Sequence, residues 1–297
     1  MIRDIANLRG KLLKNELLSH YTSWRTGGPA DYVFIPADLD DLSHFLSEIP
    51  EDIPLTLLGL GSNTLVRDGG MDGVVVITQG VLNKMAQADA GTIRAEAGVA
   101  SAQLARFTAR TGFAGLEFMA GIPGTVGGAL AMNAGCFGGE VWRHVQQVET
   151  ITRRGEIKFR SLADFEVSYR TVVRPANEWF VAGHFSLSTG DKEKSLHDIR
   201  LLLERRNNTQ PTGTANCGSV FRNPPGDFAG RLIETCGLKG LSIGGARVSE
   251  KHANFIINEN NATSLDIETL IGKVRHIVEQ KTGILLHPEV CIIGRVI

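Results

Sequence analysis

Clusters of glycine constrain this chain more than any other feature of its sequence. The 297 residues include 34 glycines, and only 6% of the residues are aromatic. The glycine content is well above the usual share of about 7%. The two clusters that matter most are Gly59-Leu-Gly-Ser-Asn63 and Gly121-Ile-Pro-Gly-Thr-Val-Gly-Gly128. Because glycine lets the backbone approach a ligand closely, these runs predict loops that bind a ligand through main-chain atoms.

The charge and cysteine content exclude several classes of protein. The chain has 31 basic and 32 acidic residues, a net charge of −1, whereas nucleic-acid and anionic-membrane binding need an excess of Lys and Arg. The sequence shows neither an apolar run of roughly 20 residues nor a signal-peptide pattern, so we expect a soluble cytoplasmic protein without nucleic-acid or membrane partners. No C-x-x-C pair occurs, so we expect reduced thiols and neither a metal site nor disulfides at Cys136, Cys217, Cys236 and Cys291.

The N-terminal region predicts a small α/β unit. Apolar residues at helical spacing from Ile2 to Leu13 predict a first helix, and Asp38 is the expected N-cap of a second helix that includes Phe45. Short β-branched stretches predict strands at Tyr32–Ile35, Leu55–Leu60 and Val74–Thr78.

The middle of the chain predicts an α+β region with antiparallel pairing. Ser101 is the expected N-cap of a helix that ends at Gly112. The predicted strands include a hairpin that turns at Arg154-Gly155, and they span Thr92–Ala97, Val148–Thr152, Glu156–Arg160 and Phe180–Leu187.

The polar stretch Ser188–Lys194 predicts a boundary, after which a third region begins. A helix through Leu196, Ile199, Leu202 and Leu203 follows it. Further predicted elements are a short helix near Ala229–Cys236 that ends at Gly237, a helix over Ser264–Thr282 capped by Gly283, and a last strand over Val290–Val296.

The first glycine cluster follows a predicted strand, so backbone N–H groups of Gly59, Gly61 and Ser62 could face a phosphate. A tight turn between two strands is the alternative. The Rossmann fingerprint is not met, because Thr64 replaces its third glycine and another strand, not a helix, is expected next. NAD bound in the Rossmann manner is therefore not expected.

The second cluster, Gly121–Ala129, favours a backbone that lies flat against a ligand. Thr125 is a candidate cap for a short helix, and Asn133 offers a donor and an acceptor to the edge of a heterocycle. A sterically tight helix-packing turn is the alternative. Two such clusters together predict a dinucleotide bound in an extended pose.

Three polar residues outside the glycine clusters are candidates for chemistry. Ser219 stands in the polar loop Asn216–Gly226, where no G-x-S-x-G elbow indicates a nucleophile, so a proton relay is the more natural function. The alternative is a serine that satisfies local backbone. Arg170 and Glu289 are expected at strand edges, and without context each would be a solvated surface charge.

These motifs occur together in the order found in one family. They are Thr26-Gly-Gly28, Gly59-x-Gly-Ser-Asn63, Gly121-Ile-Pro-Gly-x-x-Gly-Gly128, Asn133-Ala-Gly135, Ser168-Tyr-Arg170, Gly218-Ser-Val-Phe-x-Asn-Pro224 and His287-Pro-Glu289. From about residue 20 onward the chain closely resembles the UDP-N-acetylenolpyruvoylglucosamine reductases, also called UDP-N-acetylmuramate dehydrogenases. It resembles their shorter class, which lacks the insertion that carries a substrate-covering tyrosine.

The resemblance implies an α+β fold with a two-subdomain FAD-binding region of the vanillyl-alcohol-oxidase-like type and a C-terminal α/β substrate-binding domain. The expected divisions are 1–80 and 81–190 for the two FAD-binding subdomains and 191–297 for the substrate domain. The last strand is a candidate to return to the FAD-binding region.

The resemblance also implies noncovalent FAD, reduced by NADPH. The residues expected at the FAD diphosphate are Gly59, Gly61, Ser62 and Asn63. Those expected along the flavin are Gly121, Ile122, Gly124, Thr125, Gly128, Ala129, Asn133 and Gly135.

The family's reaction reduces the enolpyruvyl ether of UDP-N-acetylglucosamine to the lactyl ether in peptidoglycan precursor synthesis. By the motif match, Ser219 is the proton donor, and Arg170 and Glu289 polarise the substrate carboxylate. Glu289 can stand beside that carboxylate only if it is protonated or also paired with a cation. Asn223 matches a substrate-binding position, whereas Gln210 and Arg222 are looser candidates for the diphosphate.

Two other functions are compatible with the sequence. An alcohol or lactone oxidase would share the FAD-binding architecture, and several of these relatives hold flavin covalently, for which Cys136 is near enough to a glycine loop. A nucleotide-sugar binding module without redox activity is the second alternative. A monomer is the default expectation.

Overall fold

Residues 5–296 are described by a computed structural model, and they fall into two units that each draw on separate stretches of sequence. The first unit comprises the chain up to Leu13, Tyr32–Leu60 and Gly73–Arg205, and the second comprises Lys14–Asp31, Gly61–Asp72 and the chain from Arg206 onward. The expected division into 1–80, 81–190 and 191–297 stays a prediction beside this coarser one.

Six α-helices lie in the described residues. They are α1 (Leu39–Glu48), α2 (Ser101–Arg110), α3 (Val126–Ala131), α4 (Lys192–Thr209), α5 (Ala229–Thr235) and α6 (Ser264–Thr282). Short 3-10 turns span Leu18–Tyr21, Glu117–Gly121, Val141–Arg143 and Leu162–Asp164.

The described residues also form short strands throughout the chain. They are β1 (Lys11–Leu17), β2 (Pro29–Ile35), β3 (Leu55–Leu58), β4 (Thr64–Val66), β5 (Met71–Ile77), β6 (Met85–Asp89), β7 (Thr92–Glu96), β8 (Phe113–Ala114), β9 (Gly135–Cys136), β10 (Gly139–Glu140), β11 (Val145–Thr152), β12 (Ile157–Ser161), β13 (Glu166–Ser168), β14 (Thr171–Val173), β15 (Glu178–Ser186), β16 (Ser188–Thr189), β17 (Ala215–Asn216), β18 (Ser242–Ile243), β19 (Ala246–Val248), β20 (Ile256–Asn258) and β21 (Cys291–Ile293).

The first unit is built around a five-stranded antiparallel sheet with the order β12-β11-β15-β7-β6. The predicted hairpin is confirmed, with Val148 opposite Arg160. Strands β3 and β5 pair in parallel in a second sheet, whose order is β1-β2-β5-β3. Its buried cluster includes the stacked rings of Phe34 and Phe45, whose centroids are 4.0 Å apart. Burial of one such side chain contributes about 1.5–3 kcal/mol.

The prediction of a helix from Ile2 to Leu13 is wrong for the described residues of this segment. Residues 6 and 7 form a turn, and strand β1 begins at Lys11. The carboxylate of Asp41 accepts hydrogen bonds from the backbone N–H groups of Arg9 and Gly10, at 2.8 and 2.9 Å. These long-range bonds hold this segment outside a helix. Ile2 lies outside the described residues.

The helix starts show how closely local signals predict the structure. Asp38 caps α1 as predicted, because its carboxylate accepts from Asp41 N at 2.9 Å. For α2 the prediction is wrong by one residue: the N-cap is Ala100, and Ser101 is the first helical residue. The N–H of Ser101 donates to Gly124 O at 2.9 Å. This long-range bond places Ser101 inside the helix, and no sequence pattern encodes it.

The second unit has a four-stranded antiparallel sheet with the order β17-β20-β19-β18. Its core includes residues of α5 and α6 and the fully buried Trp24, whose indole N–H donates to Ile256 O at 2.8 Å. Helix α6 has the predicted bounds, with a capping box at its start and Gly283 in the left-handed conformation at its end. This unit therefore has a continuous apolar core beneath its polar loops.

The last strand is shorter than the predicted Val290–Val296. It covers Cys291–Ile293 and pairs in parallel with β4, which is itself only three residues long. The length of the partner limits the strand, because each backbone pair needs a residue on both sides. None of Cys136, Cys217, Cys236 and Cys291 forms a disulfide in the described residues, and their reduced state stays a prediction.

Candidate cofactor and substrate sites

The first glycine cluster begins directly after β3. A Cβ atom at Gly59 would lie 2.3 Å from the hydroxyl oxygen of Thr125, so glycine is required there unless Thr125 moves. Strand β4 begins at Thr64, and no helix follows the cluster. The strand expected after the cluster, in place of the helix of a Rossmann site, is therefore confirmed.

The second glycine cluster contains residues with two different functions. A Cβ at Gly127 would lie 2.8 Å from the Ala97 Cβ, so this glycine allows α3 to pack closely on the end of a strand. A Cβ at Gly128 would meet nothing nearer than the Thr125 hydroxyl at 3.8 Å. Thus the helix-packing alternative describes Gly127, whereas the ligand-facing interpretation of this cluster stays a prediction.

Thr125 is the N-cap of α3, but its side chain does not make the predicted capping hydrogen bond. Its hydroxyl is buried and has no hydrogen-bond partner. A buried hydroxyl without a partner is costly, which indicates a ligand atom. The hydroxyl oxygen lies close to Gly59, where a Cβ atom would be 2.3 Å from it.

A cavity of about 250 Å³ in the first unit opens beside these glycines. Its walls contain glycine, apolar side chains and one guanidinium. The residues that line it are Leu55, Thr56, Leu57, Gly59, Thr78, Ala97, Gly127, Gly128, Ala131, Arg174, Trp179 and Phe180. The bare glycine wall and the buried Thr125 hydroxyl near it fit a phosphate-containing cofactor such as FAD. Sequence reasoning missed Arg174 and Trp179, which stand in no motif.

Arg170 occupies the two-residue turn between β13 and β14, with a positive φ of 54°. Its guanidinium donates to the carbonyl oxygens of Gly135 at 2.6 Å and Asn133 at 3.3 Å. The structure thereby brings three sequence-predicted residues together within the first unit. Gly135 and Asn133 act here as backbone acceptors that hold the Arg170 side chain.

The side chain of Asn133 is buried and bonded to protein atoms. Its amide donates to Ser168 O at 3.1 Å and accepts from Trp142 N at 3.3 Å. These bonds connect the segment after α3 to the Arg170 hairpin. That Asn133 contacts the flavin edge stays a prediction, and the bonds present indicate a positioning role.

In the second unit, the Ser219 loop lies against the segment that carries Glu289. The N–H of Glu289 donates to Val220 O at 2.7 Å, and Phe221 and Pro288 form an antiparallel bridge. The amide of Asn63 donates to Glu289 O at 3.1 Å. Three motifs that are far apart in sequence therefore meet in this unit.

Ser219 also borders a second cavity, of about 420 Å³. The residues that line it come from the Ser219 loop, α5 and the turn after β19, and they are Ser219, Asn223, Phe228, Gly230, Arg231, Glu234, Lys251, His252, Ala253 and Asn254. Ser219 and Asn223, which the resemblance assigns to the substrate, both line this cavity, whereas Gln210 and Arg222 do not.

Two neighbours of this cavity already have partners. The carbonyl oxygen of the Asn223 side chain accepts from Ala229 N at 3.1 Å in the first turn of α5, which leaves its amide N–H groups to face a ligand. Arg231 forms a two-point ion pair with Asp227, and this hydrogen bonding lowers the pKa of Asp227 to about 2. Asp227 therefore stays ionised at physiological pH and pairs with Arg231.

The remaining cavity residues were missed by sequence reasoning. Phe228 is 66% exposed despite its size. Burial lowers the pKa of His252, which favours the neutral imidazole at pH 7. Lys251 donates to Asn207 O and makes no ion pair within residues 5–296. The cavity thus offers an aromatic face, a neutral imidazole and the cation of Lys251, while the carboxylate of Glu234 in its wall is paired with Lys239. This lining is compatible with an anionic ligand that has a planar ring.

Within residues 5–296, no group of His, Cys, Asp and Glu side chains has an arrangement that could hold a metal ion. No helix in the same range is both long and apolar enough to cross a membrane.

Comparisons with known proteins match both the N-terminal and the C-terminal part of the chain. A family described as "FAD binding domain" matches residues 30–159, and one described as "UDP-N-acetylenolpyruvoylglucosamine reductase, C-terminal domain" matches residues 210–293. The reductase of that name from Legionella pneumophila (strain Corby) is 57% identical over 98% of this chain and 94% of its own length. The one from Alkalilimnicola ehrlichii is 54% identical over 96% of this chain and 95% of its own length.

A solved structure is also similar over nearly the whole chain. The UDP-N-acetylenolpyruvylglucosamine reductase from Thermus caldophilus matches with a TM-score of 0.81 and 30% sequence identity, and the match covers 96% of this chain and 98% of that one.

Proposed function

Because the chain belongs to the UDP-N-acetylenolpyruvoylglucosamine reductase family, we propose that it reduces UDP-N-acetylglucosamine enolpyruvate to UDP-N-acetylmuramate in peptidoglycan precursor synthesis. It is an FAD-dependent oxidoreductase that uses NADPH as the reductant. The observation that carries this proposal is Ser219, which borders an open cavity while its loop is hydrogen-bonded to the Glu289 segment.

The FAD site is assigned to residues of the two glycine clusters and of the segment after α3, by the resemblance of their motifs. The diphosphate lies along Gly59, Gly61, Ser62 and Asn63. The flavin half is placed by the second cluster and the residues after α3, which are Gly121, Ile122, Gly124, Thr125, Gly128, Ala129, Asn133 and Gly135. The Thr125 hydroxyl supports this assignment, since it is buried without a partner near Gly59. When bound, FAD supplies a hydride to the methylene carbon of the enol ether.

Ser219 donates the proton that the adjacent carbon needs. Gly218 has a φ of +72°, a conformation that side chains rarely adopt, and its N–H donates to the side chain of Asn216 at 2.9 Å. This turn directs the Ser219 loop toward the cavity. A hydroxyl is a weak acid, but the carbon it protonates is strongly basic after hydride addition, so the transfer is favourable.

Arg170 and Glu289 act on the carboxylate of the substrate, through which negative charge spreads during reduction. The guanidinium of Arg170 is held by two backbone carbonyls, and its planar fork suits a carboxylate better than an ammonium would. The backbone of Glu289 is fixed by Val220 and Asn63. Asn223 presents its amide N–H groups to the UDP-sugar.

The decisive experiment follows the visible flavin spectrum of the purified protein without oxygen. Addition of NADPH should bleach the yellow colour, and addition of UDP-N-acetylglucosamine enolpyruvate should restore it. If only oxygen restores the colour, the chain is an oxidase and the proposal is wrong. A colourless protein that binds UDP-sugars would indicate a binding module instead.

The setting of this activity is also part of the proposal. We infer that the enzyme works as a cytoplasmic monomer without nucleic-acid or membrane partners, supported by the near-neutral charge of −1. Light scattering coupled to gel filtration should return the chain mass of 32.1 kDa. A value of twice that mass would contradict the monomer.

A further inference from the structure

Arg174 lines the cavity of the first unit, and no sequence motif assigns it a function. It is the one cation among the cavity-lining residues in the described part of the chain, and that lining contains no carboxylate. Its Nε donates to Glu178 O at 2.7 Å, and its guanidinium makes no ion pair within residues 5–296. The cavity therefore has a positive charge that protein groups do not neutralise.

The nearest carboxylate in the sequence cannot supply that neutralisation. The side chain of Glu178 forms a two-point ion pair with Arg160 and accepts a hydrogen bond from Thr150 at 2.6 Å. Hydrogen bonding to Arg160 lowers the pKa of Glu178, so this carboxylate is ionised and occupied. Only the main-chain oxygen of Glu178 contacts Arg174. The backbone thus orients the guanidinium, whose terminal nitrogens are left for a ligand.

Arg174 stands at the same cavity as glycines and a tryptophan. Gly59 and Gly128 provide walls without side chains, and Trp179 and Leu55 provide apolar surface. A guanidinium forms short charge-assisted hydrogen bonds with phosphate oxygens and also stacks on planar rings. The ligand that matches this lining is an anion joined to a flat heterocycle.

We propose that Arg174 is a cofactor-binding residue that holds the AMP half of FAD, the part of FAD that FMN lacks. This inference rests on the proposed function, since it requires FAD as the cofactor. The positive charge binds a phosphate oxygen of that half, and Trp179 contributes apolar contact for the adenine. Arg174 thereby selects FAD over FMN.

The test compares two flavins on the full chain after removal of bound flavin. Dissociation constants for FAD and FMN are measured by flavin fluorescence for the wild type, Arg174→Gln and Arg174→Lys. Arg143→Gln is the matched control, because Arg143 is 66% exposed in the same unit. A lost hydrogen bond to a charged group corresponds to roughly 10- to 100-fold in affinity.

We expect Arg174→Gln to weaken FAD binding by about 10- to 100-fold and to leave FMN binding within about twofold of the wild type. Arg174→Lys should retain part of the FAD affinity, and Arg143→Gln should change neither constant. Added salt should weaken FAD binding less in Arg174→Gln than in the wild type.

Two results would overturn the inference while the proposed function stands. One is wild-type FAD affinity in Arg174→Gln, and the other is an equal loss for FAD and FMN, which would place Arg174 at the flavin or in a structural role. A wild-type chain that binds neither flavin would overturn this inference and the proposed function together.

Discussion

Adjacent glycines in this chain have different functions because their surroundings differ. Both Gly127 and Gly128 line the cavity, but a Cβ at Gly127 would lie 2.8 Å from the Ala97 Cβ, whereas a Cβ at Gly128 would meet nothing nearer than 3.8 Å. The same contrast applies to asparagine: the Asn133 side chain is buried and bonded to protein atoms, and Asn223 keeps N–H groups at the second cavity. Residue type alone therefore does not determine which member of a motif contacts a ligand.

Replacement of Gly59 by alanine should weaken FAD binding. The new Cβ would lie 2.3 Å from the Thr125 hydroxyl, so Thr125 must move. We expect FAD retention through gel filtration to fall by at least tenfold. Gly272→Ala is the control, because a Cβ at this position in α6 meets nothing within 4 Å. It should retain FAD and gain about 0.5–1 kcal/mol of stability. Full FAD retention in Gly59→Ala would contradict the assignment.

Replacement of Ser219 by alanine should separate the two half-reactions. Reduction of the flavin by NADPH needs no proton from Ser219, so its rate should stay within a few-fold of the wild type. Reoxidation by the UDP-sugar should slow by about 10²- to 10⁴-fold, the range for a lost general acid. Anaerobic stopped-flow absorbance measures both rates. Comparable slowing of both steps would show that Ser219 is not the proton donor.

At the scale of secondary-structure elements, a buried carboxylate links three neighbouring strands of the first unit. Glu149 on β11 accepts from Arg94 on β7 at 2.7 and 2.8 Å and from His184 on β15 at 2.7 Å. Burial opposes ionisation of Glu149, but the hydrogen bonds from Arg94 and His184 outweigh it, so its pKa lies below the ordinary value. Ionised Glu149 therefore stabilises this sheet.

This network predicts a pH dependence of stability. Because the folded-state pKa of Glu149 lies below the unfolded value, its contribution is present above an unfolded pKa of about 4.3 and is lost as pH falls through the folded value. Arg94, His184 and Glu96 are the charged or titratable neighbours in the network. Glu149→Gln should lower the free energy of unfolding at pH 7 by about 1–3 kcal/mol and flatten its decline in acid.

Urea unfolding between pH 7 and pH 3 measures this effect. Glu166→Gln is the control, because Glu166 is an exposed carboxylate on β13. It should follow the wild-type profile throughout. A Glu149→Gln variant with the full acid dependence of the wild type would show that other carboxylates determine it.

At the scale of the whole molecule, each unit contains part of the predicted machinery. The first holds Arg170, Arg174 and the second glycine cluster, and the second holds Ser219 and Glu289. The cluster that starts at Gly59 begins in the first unit and continues in the second. Because both units are assembled from separate stretches of sequence, no single stretch contains a complete site.

The flavin should leave the whole protein on denaturation. The S–H of Cys136 donates to Phe118 O at 2.9 Å, and we expect this thiol to form no bond with the flavin. Acid-precipitated protein should be colourless, with FAD in the supernatant, and the mass of the chain should show no flavin adduct. A yellow pellet would contradict noncovalent binding and support the covalent alternative.

Local signals explain what the sequence by itself determined. Helices α1 and α6, the hairpin of β11 and β12, and the glycine clusters were predictable because caps, periodicity and turn residues act within a few positions. The ordered motifs also predicted the family, and the comparisons confirmed it.

Only the tertiary structure determined which polar groups that are far apart in sequence form hydrogen bonds with each other. The N-terminal segment is not helical because Asp41 binds its backbone, and the Thr125 hydroxyl is buried without its expected cap bond. Arg174 and Phe228 became visible only as residues that line cavities. A cavity wall is formed by contacts between residues that are far apart in sequence. The local sequence pattern therefore does not predict which side chains line the cavity.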